Sequence, residues 1–128
     1  MTMIEYAKTF LGTPYVWGGN TAEQGLDCSG LVCEILRVEN LILNNEDLTA
    51  QQIYVKFSSL NYSSGTGKNT LVFYGESNNK ITHVAFGIGD DKIIESAGEG
   101  RSNTDKGFVR VRKVNYRNDL VASIKLRF

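Results

Sequence analysis

The chain changes texture near its middle, and that change limits the folds open to it. Up to residue 60 the apolar residues recur at helical spacing; from residue 71 onward they come in short runs of β-branched and aromatic residues. Helices first and strands second predict a segregated α+β fold rather than alternating βαβ units. The 128 residues show no internal repeat and no low-complexity tail, so one domain over 1–128 is expected. A chain of this length buries roughly two-thirds of its unfolded surface and needs no disulfide or metal staple.

Thr2 and Glu5 fit a capping box, and Met3, Ala7, Phe10 and Leu11 share a face, which predicts a helix over 2–11. From Cys28 onward Leu31, Ile35 and Val38 lie at helical spacing with Glu34 and Arg37 toward water, predicting a helix whose first turn contains Cys28. A second capping box, Thr49 with Gln52, opens a helix expected over 49–60, with Ile53, Phe57 and Leu60 on one face. Strands are expected at 71–75, 82–89, 92–97, 108–114 and 120–128, with a loop at 61–70. In 108–114, Val109 and Val111 point one way and Arg110 and Arg112 the other, the pattern of a half-buried antiparallel strand. Between the first two helices, GTPYVWGGNTAEQGLDCSG holds five of the 13 glycines and reads as an irregular loop with unusual backbone angles.

Fourteen Lys and Arg balance fourteen Asp and Glu, so the chain lacks the cationic surplus that a nucleic-acid binder or a polybasic membrane anchor needs. No run approaches the ~20 apolar residues of a membrane span. The N-terminal residues lack the ~7–15-residue apolar core of a signal peptide, so synthesis in the cytoplasm without a leader is expected. Two cysteines are too few for a disulfide framework. With one histidine they do not make a four-ligand metal set at familiar spacing, and four residues rather than two separate Cys28 from Cys33, which disfavours dithiol redox chemistry. Neither metal nor cofactor is expected.

His83 is the single histidine, the one side chain that titrates near neutrality unaided, so acid–base chemistry is expected to run through it. Cys28, flanked by Asp27, Ser29 and Gly30, stands where a helix begins; the partial positive charge there favours a thiolate. Cys33, inside the helix, reads as a small buried hydrophobe. A Cys–His pair also needs a group that orients the imidazole. Asp90, Asp91, Glu95 and Glu99 are near in sequence. The two aspartates suit a turn. Glu95 lies in a strand among Ile93, Ile94 and Ala97, where a charge demands a partner. Register then decides: a two-residue turn at Asp90-Asp91 puts Glu95 opposite Phe86, facing away from His83. An odd-residue turn or a bulge puts it opposite Ala85, on the histidine's face.

The run LGTPYVWGGNTAEQGLDCSGLV, the later Ala50-Gln51, the strand LVFY and THVAFGIGDDKIIESAG resemble the NlpC family of papain-like cell-wall cysteine peptidases from Ile4 to the last strand. DCSG alone would be weak; the combined set with its spacing is specific. The resemblance implies a papain-like α+β fold with the nucleophile at the start of a central helix packed on an antiparallel sheet that carries the histidine. It implies Cys28 as nucleophile, His83 as base, and Tyr15 as a loop hydroxyl beside the oxyanion. The family's third polar residue is commonly histidine, and Glu95 stands at that position; a carboxylate serves the orienting role at least as well. The family's Gly-Asp strand entry appears as Asn69-Thr70, a change with no expected catalytic consequence.

The implied reaction is hydrolysis of peptidoglycan stem peptides at D-γ-glutamyl-diaminopimelate or D-γ-glutamyl-lysine bonds through a thioester. Two alternatives stay open: an amidase cutting between glycan and L-alanine, and a non-enzymatic phage tail subunit that keeps the fold. Ser29 joins Tyr15 as a candidate substrate-binding group. Asp27 reads equally as a helix cap or as the receptor for the substrate's free amine. Trp17 can wall the groove, although core packing is the favoured reading. The ESAGEG stretch and the basic FVRVRKV strand resemble compact bacteriophage-encoded members, so phage tail or lysis proteins are expected partners and the bacterial wall the site of action.

Overall fold

The computed structural model describes residues 1–21, 23–60, 62–98 and 107–128. Helix α1 (Met3–Lys8) opens on the capping box read from the sequence, with the Glu5 amide donating to Thr2 Oγ1 at 3.0 Å and the Thr2 amide to Glu5 Oε1 at 2.8 Å. It ends earlier than expected. The Gly12 amide donates to the Val109 carbonyl and the Tyr15 amide to the Gly107 carbonyl, so this segment leaves the helix and runs along a strand edge. Leu11 is accordingly exposed. Two short strands, β1 (Asn20–Thr21) and β2 (Gly25–Leu26), pair within the glycine-rich segment that the sequence reads as wholly irregular.

Helix α2 (Cys28–Arg37) begins at the cysteine, as expected. Helix α3 (Ala50–Ser58) carries the second capping box but stops at Ser58, leaving Leu60 46% exposed rather than on the buried face. The strands follow: β3 (Thr70–Ser77), β4 (Lys80–Gly89), β5 (Lys92–Ala97), β6 (Phe108–Lys113) and β7 (Leu120–Lys125), with a 3₁₀ turn at Val114–Tyr116. They form one antiparallel sheet in the order β6-β5-β4-β3-β7. The expected segregated α+β class is the observed one.

Pleating divides the sheet's side chains between two layers. Leu71, Phe73, Val84, Phe86, Ile94 and Val109 pack with Leu31, Ile35, Leu36, Ile53 and Phe57 of α2 and α3. On the other face Val72, Tyr74, Ala85 and Ile93 pack with Val114 and Tyr116 from the β6–β7 connection. The alternation read in β6 is covered over only part of its length: Val109 is buried, whereas Val111 is 40% exposed because β6 is the edge strand and residues 12–13 bond to it only around Val109.

Asn69 has φ +59° at the strand entry. Asparagine tolerates that left-handed region better than most side chains, which suits it to the turn into β3. The pairing of the two glycine motifs also has a steric cause. A Cβ on Gly30 would lie 2.3 Å from the Gly19 carbonyl oxygen, and one on Gly19 would lie 2.3 Å from that of Gly25. The start of α2 therefore seats against the loop with no room for a side chain. Gly30→Ala should cost about 1–3 kcal/mol of stability. Thermal unfolding of the variant checks this, and an unchanged Tm would contradict the close seating.

Candidate active site

Asp27 is the N-cap of α2, its Oδ1 accepting from the Gly30 amide at 2.7 Å and from the Ser29 hydroxyl at 3.2 Å. Its Oδ2 accepts from the Gly18 amide at 3.2 Å, tying the loop to the helix start. Burial raises the Asp27 carboxyl above its ordinary range, against the pull of these hydrogen bonds. The capping reading is therefore observed. The Ser29 hydroxyl, itself buried, is spent on the same cap. Cys28 is half-buried at the first position of the helix.

His83 reaches this point from the sheet. Tyr74 pairs with His83 but Gly75 with Ile81, so Thr82 is an extra residue and His83 adjoins a bulge, a device that re-aims side chains. Gln51, in the first turn of α3, fixes the strand's start: its Oε1 accepts from the Ile81 amide at 2.7 Å and its Nε2 donates to the Asn78 carbonyl at 3.0 Å. His83 is 6% exposed, with Nε2 2.7 Å from Glu95 Oε1, and it lines the same groove as Cys28. With Nε2 given to Glu95, Nδ1 is the nitrogen left for the sulfur. Burial alone would push the imidazole pKa down; its interactions with Cys28 and with Glu95 outweigh this and push it up to about 9.

The register question has a definite answer. Asp90 and Asp91 both have φ +57° and form the two-residue turn, with Gly89 opposite Lys92. Gly87 then pairs with Ile93 and Phe86 with Ile94, so Ile88 is an extra residue. The bulge carries Glu95 onto the histidine's face. Glu95 is fully buried; its Oε1 also accepts from the Tyr116 hydroxyl at 2.7 Å, and Arg110 Nε and Arg112 Nε lie 3.7 and 3.9 Å from its Oε2. Burial opposes ionisation, but the His83, Tyr116 and Arg110 contacts hold its pKa below the usual value. Glu99, the other carboxylate considered, lies outside the described residues.

Cys28 and His83 open into a groove of about 760 Å³ whose walls include Tyr15, Trp17, Asp27, Ser29, Gln51, Arg110 and Tyr116. Trp17 is 55% exposed, which corrects the core-packing reading: the loop around Gly18 and Gly19 turns its ring outward onto the groove. Of the side chains assigned to the site from the sequence, Cys28, His83, Tyr15, Trp17, Asp27 and Ser29 line this groove, and Glu95 lies behind His83, bonded to its ring. Gln51, named in the sequence only as part of a motif, Arg110 and Arg112, read only as an outward strand face, and Tyr116 are further residues of the site. Strand alternation, with Arg110 directly opposite Glu95, was the usable signal for the arginines. Tyr116 had none, because its position depends on how the β6–β7 connection folds back. Among the described residues no group of three or more His, Cys, Asp or Glu is placed to hold a metal.

This is a papain-like arrangement of cysteine on a helix N-terminus and histidine on a sheet. The NlpC/P60 family model matches residues 12–119, and the chain belongs to that family. It is 30% identical over 118 residues to the bifunctional muramidase/DL-endopeptidase CwlT of Bacillus subtilis, a match covering 90% of this chain and 35% of that protein. The chain spans about a third of the length of the curated relatives it matches. The fold superposes on the NlpC/p60 domain of the peptidoglycan hydrolase SagA with a TM-score of 0.68 at 24% identity, covering 98% of this chain and 97% of that one. It also superposes on RipD of Mycobacterium tuberculosis, a non-catalytic NlpC/p60 protein, with a TM-score of 0.70 at 19% identity, covering 99% and 95%.

The two cysteines should differ sharply in reactivity. Cys33 is buried, its thiol donates to the Leu48 carbonyl, and burial pushes its pKa up to about 11. Near neutral pH iodoacetamide should alkylate Cys28 at least tenfold faster than Cys33. Peptide mapping reads the ratio, and equal slow labelling would contradict the described environment.

Proposed function

We propose that this chain is a cysteine endopeptidase that hydrolyses peptidoglycan stem peptides at the D-γ-glutamyl-diaminopimelate or D-γ-glutamyl-lysine bond. The observation that carries this reading is the 2.7 Å bond from His83 to a fully buried Glu95, beside a cysteine on a capped helix N-terminus inside a groove. Membership of the family and the likeness to a DL-endopeptidase support the substrate class.

In this mechanism the Cys28 sulfur, as the thiolate, attacks the carbonyl carbon of the scissile amide. The Tyr15 hydroxyl and the Cys28 backbone N–H are the donors assigned to the developing oxyanion. An imidazole raised to about 9 carries a proton at neutral pH, and His83 delivers it to the leaving amine. The neutral ring then takes a proton from water, whose oxygen attacks the thioester and releases the cysteine. Glu95 keeps the ring oriented and stabilises its charged form throughout. Trp17 and Tyr15 wall the substrate groove, and Asp27 adds its buried charge where the substrate's free amine would lie. The wall of a bacterium is the site of action in this reading, as the likeness to a DL-endopeptidase supports.

The test is digestion of purified walls of the lysine and diaminopimelate types, with product masses. Wild type should release peptides that begin with lysine or diaminopimelate and leave L-alanyl-D-glutamate on the glycan, and Cys28→Ala should retain less than about 1% of the activity with its fold intact. Release of the whole stem peptide from the glycan would establish the amidase instead, and no release from either wall would favour a non-catalytic role.

A further inference from the structure

A fully buried carboxylate needs compensation, and His83 supplies only part of it. The remainder comes from the edge strand and the turn that follows it. Arg110 sits directly across from Glu95 in the β5–β6 register, and Arg112 follows two residues on along the same face. Their guanidinium Nε atoms lie 3.7 and 3.9 Å from Glu95 Oε2, an oxygen with no hydrogen-bond donor among the described residues. Oε1 takes the two hydrogen bonds, from His83 and from the Tyr116 hydroxyl. The carboxylate is thus divided: one oxygen is aimed by hydrogen bonds and the other is held by the field of two cations.

The brace is itself braced. Arg112 stacks on the Tyr116 ring at 4.6 Å, so the edge strand and the following turn hold each other. Tyr74, from β3, donates to the Val114 carbonyl at 2.6 Å and lies beneath Arg117, 5.0 Å away, whose Nε and Nη2 grip Asp119 at 2.6 and 2.7 Å. The groups facing Glu95 are therefore His83 from β4, Tyr74 from β3, Arg110 and Arg112 from β6, and Tyr116 from the turn, with Arg117 and Asp119 just beyond. We propose that Tyr116 and Arg110, backed by Arg112, are positioning residues that keep the buried Glu95 carboxylate ionised and aimed at His83.

The proposal rests on the reading of Cys28, His83 and Glu95 as one reacting unit, but its test does not need turnover. The protein has a single histidine, so the ring N–H shared with Glu95 gives one identifiable downfield proton resonance. On acidification that resonance is lost when Glu95 takes a proton. Tyr116→Phe and Arg110→Met should each move the midpoint of loss upward by about one pH unit, because each removes a contact that favours the carboxylate. Arg110→Lys, which keeps the charge, should restore most of the shift. The same variants should lower kcat with little change in KM.

Midpoints for Tyr116→Phe and Arg110→Met that match wild type, in variants with native circular dichroism, would overturn the proposal. Should Arg110→Met fail to fold, Tyr116→Phe and Arg110→Lys decide it: a raised midpoint in the first and a near-native one in the second support it, and two unmoved midpoints refute it. An active wild type with unmoved midpoints sinks this inference alone; shifted midpoints in an inactive wild type sink the peptidase reading and leave the brace standing.

Discussion

The structure turns on a carboxylate buried where water cannot reach it. Glu95 has no exposed surface, and an ion in such a place survives only by donors and cations arranged before it is enclosed. Those groups come from three directions: the histidine of β4, the arginines of β6 and the tyrosine of the turn that follows. Because Glu95 must be satisfied, the hairpin register, the edge strand and the β6–β7 connection are all committed to one arrangement. The same ion sets the state of His83, whose burial would otherwise favour the neutral ring.

The second requirement is that a helix on one side of the sheet and a histidine on its other face meet at the same point. His83 shares its strand face with Ala85, in the layer away from the helices, whereas Cys28 packs with the helical core. They meet because the site lies at the start of β4. The Asp27 cap and the contact between Gly30 and Gly19 set where α2 begins, and Gln51 pins the amides just before the histidine's bulge. A helix N-terminus, a bulge and an amide clamp thus determine the distance on which the chemistry depends.

Much of this was legible in the chain. Both capping boxes gave their helix starts, Asp90-Asp91 gave its turn, and 92–97 emerged as read because its ends are marked by that turn and by Gly98. Helix ends read less well. Leu11 and Leu60 continue the apolar spacing, but the backbone beyond α1 bonds to Val109 and α3 stops at Ser58, so tertiary pairing overrides periodicity. The Glu95 register was open to sequence reasoning as a choice between a turn and a bulge; the positive φ of both aspartates, together with the extra residue Ile88, made the choice. Trp17 was misjudged because an aromatic ring carries no sequence mark of which way its loop faces. The arginines of β6 carried a signal, a cation opposite a strand carboxylate. Tyr116 joins Glu95 through a fold-back that no local pattern encodes.

The central claim is that the buried pair is ionic, an imidazolium held by Glu95 and facing Cys28. Nitrogen-15 spectra of the single histidine test it directly, since the ring shifts separate the charged form from either neutral tautomer. The account predicts both ring nitrogens protonated at neutral pH, with the proton lost only near 9, and a return toward the ordinary 6.5 in Glu95→Gln. A neutral ring at neutral pH in the wild-type protein would contradict it.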